Sequence, residues 1–161
     1  HGDLHRTEKL LRELVRGEVL SPTQFALSVN NAVLGQYSMA ADNRQSMTTL
    51  SAGEQTYPLG WLEALSQLQS EAEQVLLVYA DEVPPAVYSG QVKSPVTGFS
   101  HAVLLHRKNG QELILDRRVG KESQLQEDVW SVANSVQKIL DAGGGKVVQD
   151  YNGVRWSWHV A

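Results

Sequence analysis

A near-continuous apolar run, Val75-Leu76-Leu77-Val78-Tyr79-Ala80, follows a stretch in which Leu59, Leu62, Leu65 and Leu68 recur at helical spacing with Trp61 beside them. Helical periodicity leading straight into a short strand-like run restricts the chain to folds that pack helices on a sheet. A run that is apolar at both alternating phases predicts a strand covered on both faces, hence central in the sheet. The helix, residues 57–68, is expected to pack against it. Upstream, Met47-Thr48-Thr49-Leu50 is β-prone, Ala52-Gly53 is small enough for a tight turn, and Pro58 falls in the first turn of the helix. Residues 50–54 therefore read as an elbow from strand to helix. Side chains at such an elbow stand exposed, beside unpaired N–H groups that favour negative charge. Enzymes place nucleophiles there, and this chain places Glu54.

At 161 residues, 42% of them hydrophobic, the chain suffices for one domain with a real core, and residues 1–161 are read as a single domain. A net charge of −4 without a basic stripe argues against nucleic acid as a partner. The lack of cysteine removes disulfides, thiolate nucleophiles and cysteine-ligated zinc together. No apolar run reaches the length of a membrane span and no signal peptide is visible, so the cytoplasm is the expected compartment. The first residue is His1 rather than Met, which implies a preceding segment.

In chain order, residues 3–16 place Leu4, Leu10, Leu11, Leu14 and Val15 at helical spacing, predicting an amphipathic helix with a core-facing stripe that stops at Gly17. Ser21 then caps a second helix with Pro22 at its first position. That helix is expected to carry Phe25, Leu27, Val29 and Val33 to about Gly35-Gln36 and on toward Ala41, before a polar turn at Asp42-Asn43-Arg44-Gln45. Residues 82–96, with three prolines, read as a loop. Residues 99–107 and 112–116 read as a hairpin around Asn109-Gly110. Leu125, Val129, Val132, Ala133, Val136, Ile139 and Leu140 predict a helix stopped by Gly143-Gly144-Gly145, and residues 146–161 are β-rich, with Trp156 and Trp158 on one face.

Ser51-x-x-Glu54 ahead of an apolar helix also fits a capping box, so Glu54 has two readings, a cap and a functional carboxylate. The terminal glycines are a helix stop: no Lys-Ser/Thr follows and no G-x-G-x-x-G opens a helix. His101 and His106 are separated by an odd number of positions, which sets them on opposite strand faces, and no metal-ligand spacing occurs. No metal and no cofactor are expected. Trp156 and Trp158 read as core or interface cover. Asp81-Glu82 are either paired acids for proton transfer or the polar close of the strand.

From Ser21 to Glu82 the chain resembles the N-terminal half of the β-ketoacyl synthases, the thiolase-fold condensing enzymes of fatty-acid and polyketide synthesis. The resemblance is carried by Ser21-Pro22, the Asn31-Ala32-x-x-Gly35 turn, Arg44, Ala52-Gly53-Glu54, Glu63-Ala64 and Val75-Leu76-Leu77 running to Glu82, aligned without a gap. More narrowly, Ser21-Pro22-Thr23-x-Phe25, Ser51-Ala52-Gly53-Glu54 and Val78-Tyr79-Ala80-Asp81-Glu82 are similar to small chain-length-factor-like proteins of bacterial aryl-polyene clusters. The resemblance implies an α/β fold, half of a thiolase-like fold with a mixed sheet and packed helices.

In this register Glu54 stands where a ketosynthase carries its acyl-accepting cysteine, and the family's two catalytic histidines belong to a C-terminal half. A carboxylate cannot hold a growing chain as a thioester. The resemblance thus implies a non-condensing subunit that forms a homo- or heterodimer, pairing with itself or with a cysteine-bearing ketosynthase, and works with an acyl carrier protein. It places Glu54 at the catalytic position and Asn31, Gly35, Ser51 and Gly53 around substrate, and it puts the strand at residues 47–50 in the dimer interface. The competing reading makes Glu54 the general base of a stand-alone acyl-thioester decarboxylase or hydrolase.

Overall fold

The computed structural model describes residues 2–70, 72–88, 90–91, 97–120 and 129–161. It divides into two compact units, one made of His1–Ser51 and Glu82–Val96, the other of Ala52–Asp81 and Thr97–Ala161.

The first unit is helical. Helix α1 spans Leu4–Val15, with Asp3 as its cap accepting from the Arg6 N–H. That backbone N–H holds the Asp3 carboxyl below its usual value. Gly17, at φ +71°, turns the chain away from the helix. Only Leu10 of the expected stripe is buried, while Leu11, Leu14 and Val15 are exposed. Ser21 caps α2, Pro22–Ala26, as expected, but the helix stops there and α3 begins afresh as Ala32–Ala40. The single long helix fails because the Ser28 carbonyl accepts from the Asp3 N–H at 3.1 Å and the Ser28 hydroxyl bonds Phe25 O at 2.7 Å. Groups diverted in this way cannot extend the α2 ladder. Phe25 and Val33 are exposed, not core. The polar turn does form: Asp42 takes φ 44°, and Asn43 Oδ1 accepts from the Gln45 N–H. The stretch at residues 47–50 forms no strand. An extended segment becomes a strand only as part of a ladder, and the ladders of the described residues do not include this one. Within residues 82–96, Ala86–Tyr88 makes a 3₁₀ turn, and Val83 O meets His5 Nε2 at 3.1 Å.

The second unit holds α4 (Thr56–Ser70), β1 (Gln74–Asp81), β2 (Phe99–His106), β3 (Leu113–Val119), α5 (Val129–Ala142), β4 (Gly145–Tyr151) and β5 (Val154–Val160). The α/β class holds, and among the described residues the strands form two antiparallel sheets, β1-β2 and β3-β5-β4, rather than one mixed sheet. Strand β1 is not central: among the described residues it pairs only with β2, and its burial alternates along its length. Val75, Leu77 and Tyr79 turn inward, while Leu76 and Val78 are 57% and 56% exposed. The α4 stripe is also rotated from expectation. Tyr57, Trp61, Ala64 and Leu68 are buried and Leu62 is 45% exposed, because two aromatic rings bury more area than the leucines they displace.

The hairpin between β2 and β3 does not form, since β3 pairs with β5. A two-residue type I′ turn needs positive φ at both central residues. At 109–110 only Gly110 has it, whereas Asn152 and Gly153, at φ 46° and 80°, both do. The hairpin therefore closes at β4–β5, and β5, flanked on both sides, brings Trp156 and Trp158 to complete burial in a core shared with Tyr57, Trp61, Val132, Ala133, Val136 and Tyr151. Helix α5 ends as predicted, with Gly143 at φ +67° and its N–H on Leu140 O, although Leu125 lies outside the described residues. Among the described residues no helix is long and apolar enough to cross a membrane.

Candidate functional site

The turn into α4 exists, without the strand expected before it and with different chemistry from the capping box. Ala52 leads into a 3₁₀ turn, Gly53–Gln55, that runs directly into α4. Gly53 sits at φ +58°, in the left-handed region. A side chain would find open space there, so backbone strain rather than crowding is what favours glycine. The lock is Thr56, whose hydroxyl accepts from the Ala52 N–H at 2.9 Å and donates to Gly53 O at 2.7 Å. Ser51 does not cap this turn, because its N-cap residue is Ala52. Glu54, half-buried, occupies the middle of the turn, just ahead of α4.

The remaining expected site residues fall in the first unit. Asn31 is exposed and is the N-cap residue of α3, without a side-chain capping bond. Gly35 lies inside α3, exposed, with open space where a Cβ would stand. The expected Asn31-to-Gly35 turn is thus the start of a helix. Ser51 is the last residue of the first unit's long segment. The expected site residues thus fall into two groups: Gly53 and Glu54, chain neighbours in the second unit, and Asn31, Gly35 and Ser51 in the first, where the Gly35 N–H donates to Asn31 O at 3.3 Å.

One polar assembly is absent from the sequence-based expectations. The Tyr57 hydroxyl, at the start of α4, lies 3.3 Å from His101 Nδ1 on β2. His101 Nε2 lies 2.9 Å from Gln137 Oε1 on α5, and the Gln137 amide donates to Asp141 at 2.7 Å. Burial pushes the Tyr57 phenol well above its ordinary value, and Tyr79 adds to the rise. Burial likewise pushes the Tyr79 phenol up to about 12, with Asp81 adding to the rise. The available signal was the strand alternation that separates His101 from His106: His101 is on the half-buried phase of β2, and His106 is exposed. Among the described residues, no three His, Asp or Glu side chains gather as metal ligands would.

Comparison with known proteins bears on these geometries. Residues 1–159 match the family described as the N-terminal domain of beta-ketoacyl synthase. The structure is similar to a chain in the solved complex of a ketosynthase, ApeO, with its chain length factor, ApeC, from Xenorhabdus doucetiae. Identity is 28% and the TM-score 0.79, over 99% of this chain and 66% of that one, so the present sequence spans just under two thirds of its neighbour. The comparison with curated proteins gave no match.

Proposed function

The chain belongs to the β-ketoacyl synthase family through its N-terminal domain, and from that premise we propose that it is a non-condensing ketosynthase-like subunit of bacterial fatty-acid or polyketide synthesis of the aryl-polyene type. The observation that carries the reading is Glu54 in the turn that opens α4, in a sequence with no cysteine. An acyl chain is held on a ketosynthase as a thioester, which needs a thiolate, and a carboxylate offers none. Glu54 keeps the shape and negative charge of the elbow without its nucleophile. Asn31, Gly35, Ser51 and Gly53 are the proposed substrate-side positions. The chain acts as one half-thiolase domain in the cytoplasm, and its partner supplies the cysteine while an acyl carrier protein delivers the substrate. The neighbour's structure, a ketosynthase with its chain length factor, supports a heterodimer over a pair of identical chains. Residues 47–50 are not proposed as an interface strand, since they form none.

Co-expression with a cysteine-bearing ketosynthase from the same gene neighbourhood tests this. The expected outcome is co-purification of the two chains, ketoacyl product from the pair on malonyl-carrier substrate, and none from this chain alone. Ketoacyl product from the isolated chain overturns the reading. Hydrolysis or decarboxylation of the acyl carrier by the isolated chain, abolished by Glu54→Gln, replaces it with the stand-alone enzyme.

A further inference from the structure

The hydrogen-bonded chain from Tyr57 to Asp141 takes a single direction when the His101 ring is neutral. A carboxylate only accepts, so the Gln137 amide nitrogen must face Asp141, as it does at 2.7 Å. The Gln137 carbonyl oxygen then faces His101 Nε2 at 2.9 Å and requires a proton there. With Nε2 protonated in a neutral ring, Nδ1 is bare, and the Tyr57 O–H is the donor that meets it at 3.3 Å. Every donor in the series points the same way, from the buried phenol at the head of α4 to the carboxylate on α5. The His101 ring also tilts 44° to the Tyr57 ring at a centroid distance of 5.8 Å, so the contact is packed as well as bonded.

We infer that His101 is a positioning residue for the elbow: held as the neutral Nε2–H tautomer between Tyr57 and Gln137, it fixes the first turn of α4 and so the turn that presents Glu54. Tyr57 directly follows Thr56, the residue whose hydroxyl locks Ala52 and Gly53. The Thr56 bonds shape the turn from within, and the Tyr57 bond, one residue on, ties that same end of α4 to β2. An apolar contact at His101 would give stability without direction, whereas three consecutive hydrogen bonds fix both the rotation of α4 and its distance from β2 and α5. The functional meaning of the clamp rests on the reading of Glu54 proposed above. Its existence does not.

The test is solution NMR on the whole chain with ¹⁵N-labelled histidine, together with amide exchange. In the unsubstituted protein, the neutral His101 ring is expected to show a protonated Nε2 and an unprotonated Nδ1. His101→Leu is expected to speed exchange of the Ala52 and Gln55 amides about five- to tenfold relative to amides of the β4–β5 hairpin, the loss of roughly one hydrogen bond. Tyr57→Phe is expected to do the same and the double variant no more, while His101→Asn, whose amide oxygen reaches toward the place of Nδ1, restores much of the protection. An Nδ1–H tautomer, or variants that speed exchange uniformly across the second unit, overturns the inference. The tautomer is read without substitution, so a variant that fails to fold does not block the test. No partner is present in these measurements, so a failed clamp leaves the subunit reading standing, and failed co-purification leaves the clamp standing.

Discussion

Thr56 closes the elbow with its side chain. Its single hydroxyl closes both ends of the turn, where the sequence offered Ser51 and Glu54 for that task. Thr56→Val keeps the shape and removes both bonds, and is expected to cost about 1 kcal/mol, the usual worth of a capping hydroxyl. Thr56→Ser should retain most of it, and urea denaturation midpoints of the two variants check the difference. The buried phenols act at the other end of the pH scale. An unfolded tyrosine ionises near 10, whereas Tyr79 is pushed up to about 12 and Tyr57 well above its ordinary value. Between those values the unfolded chain releases protons that the folded chain keeps, so stability is full below pH about 10 and falls as pH rises from about 10 to about 12. Denaturation midpoints measured across that window should decline, and Tyr57→Phe should shrink the decline. A flat profile would contradict the burial of Tyr57 and the partial burial of Tyr79.

Elements were legible in the sequence wherever their signals were local. The Ser21 cap, the stops at Gly17 and Gly143, and the turn into α4 are each written within a few residues. Pairing was not, because β3 selects β5 across about forty residues, and the loser, Asn109-Gly110, resembles the winner, Asn152-Gly153, in sequence though not in backbone. The α2–α3 break depends on Ser28 meeting Asp3, a contact that periodicity within residues 22–41 does not record. The candidate site divides in the same way. Gly53 and Glu54 follow from the order of residues, while Tyr57 and His101 stand 44 positions apart and are joined only by the fold. Two glycine substitutions separate backbone demand from accident at this scale. Gly153→Ala, at φ +80° with a Cβ 3.3 Å from Gly120 O, is expected to cost about 1–2 kcal/mol. Gly35→Ala, in a helix with open space around it, is expected to gain about 0.5–1 kcal/mol. Thermal melts of the two variants should therefore move in opposite directions.

At the scale of the whole molecule, each unit carries apolar surface that its own packing leaves wet. In the second, Leu76, Val78 and Leu104 share the outer face of the β1–β2 ladder, and in the first, Val33 and Met39 stand 70% and 77% exposed on a helix without a charged residue. Surface already hydrated in the folded state adds nothing to the heat capacity gained on unfolding. The increment per residue is therefore expected below the usual range of about 12–15 cal/mol/K, and differential scanning calorimetry that finds it within or above that range would argue that these side chains are covered in solution. A small increment flattens the dependence of stability on temperature. Such a chain gives up little of its stability on cooling, and its resistance to cold comes from the side chains it fails to bury.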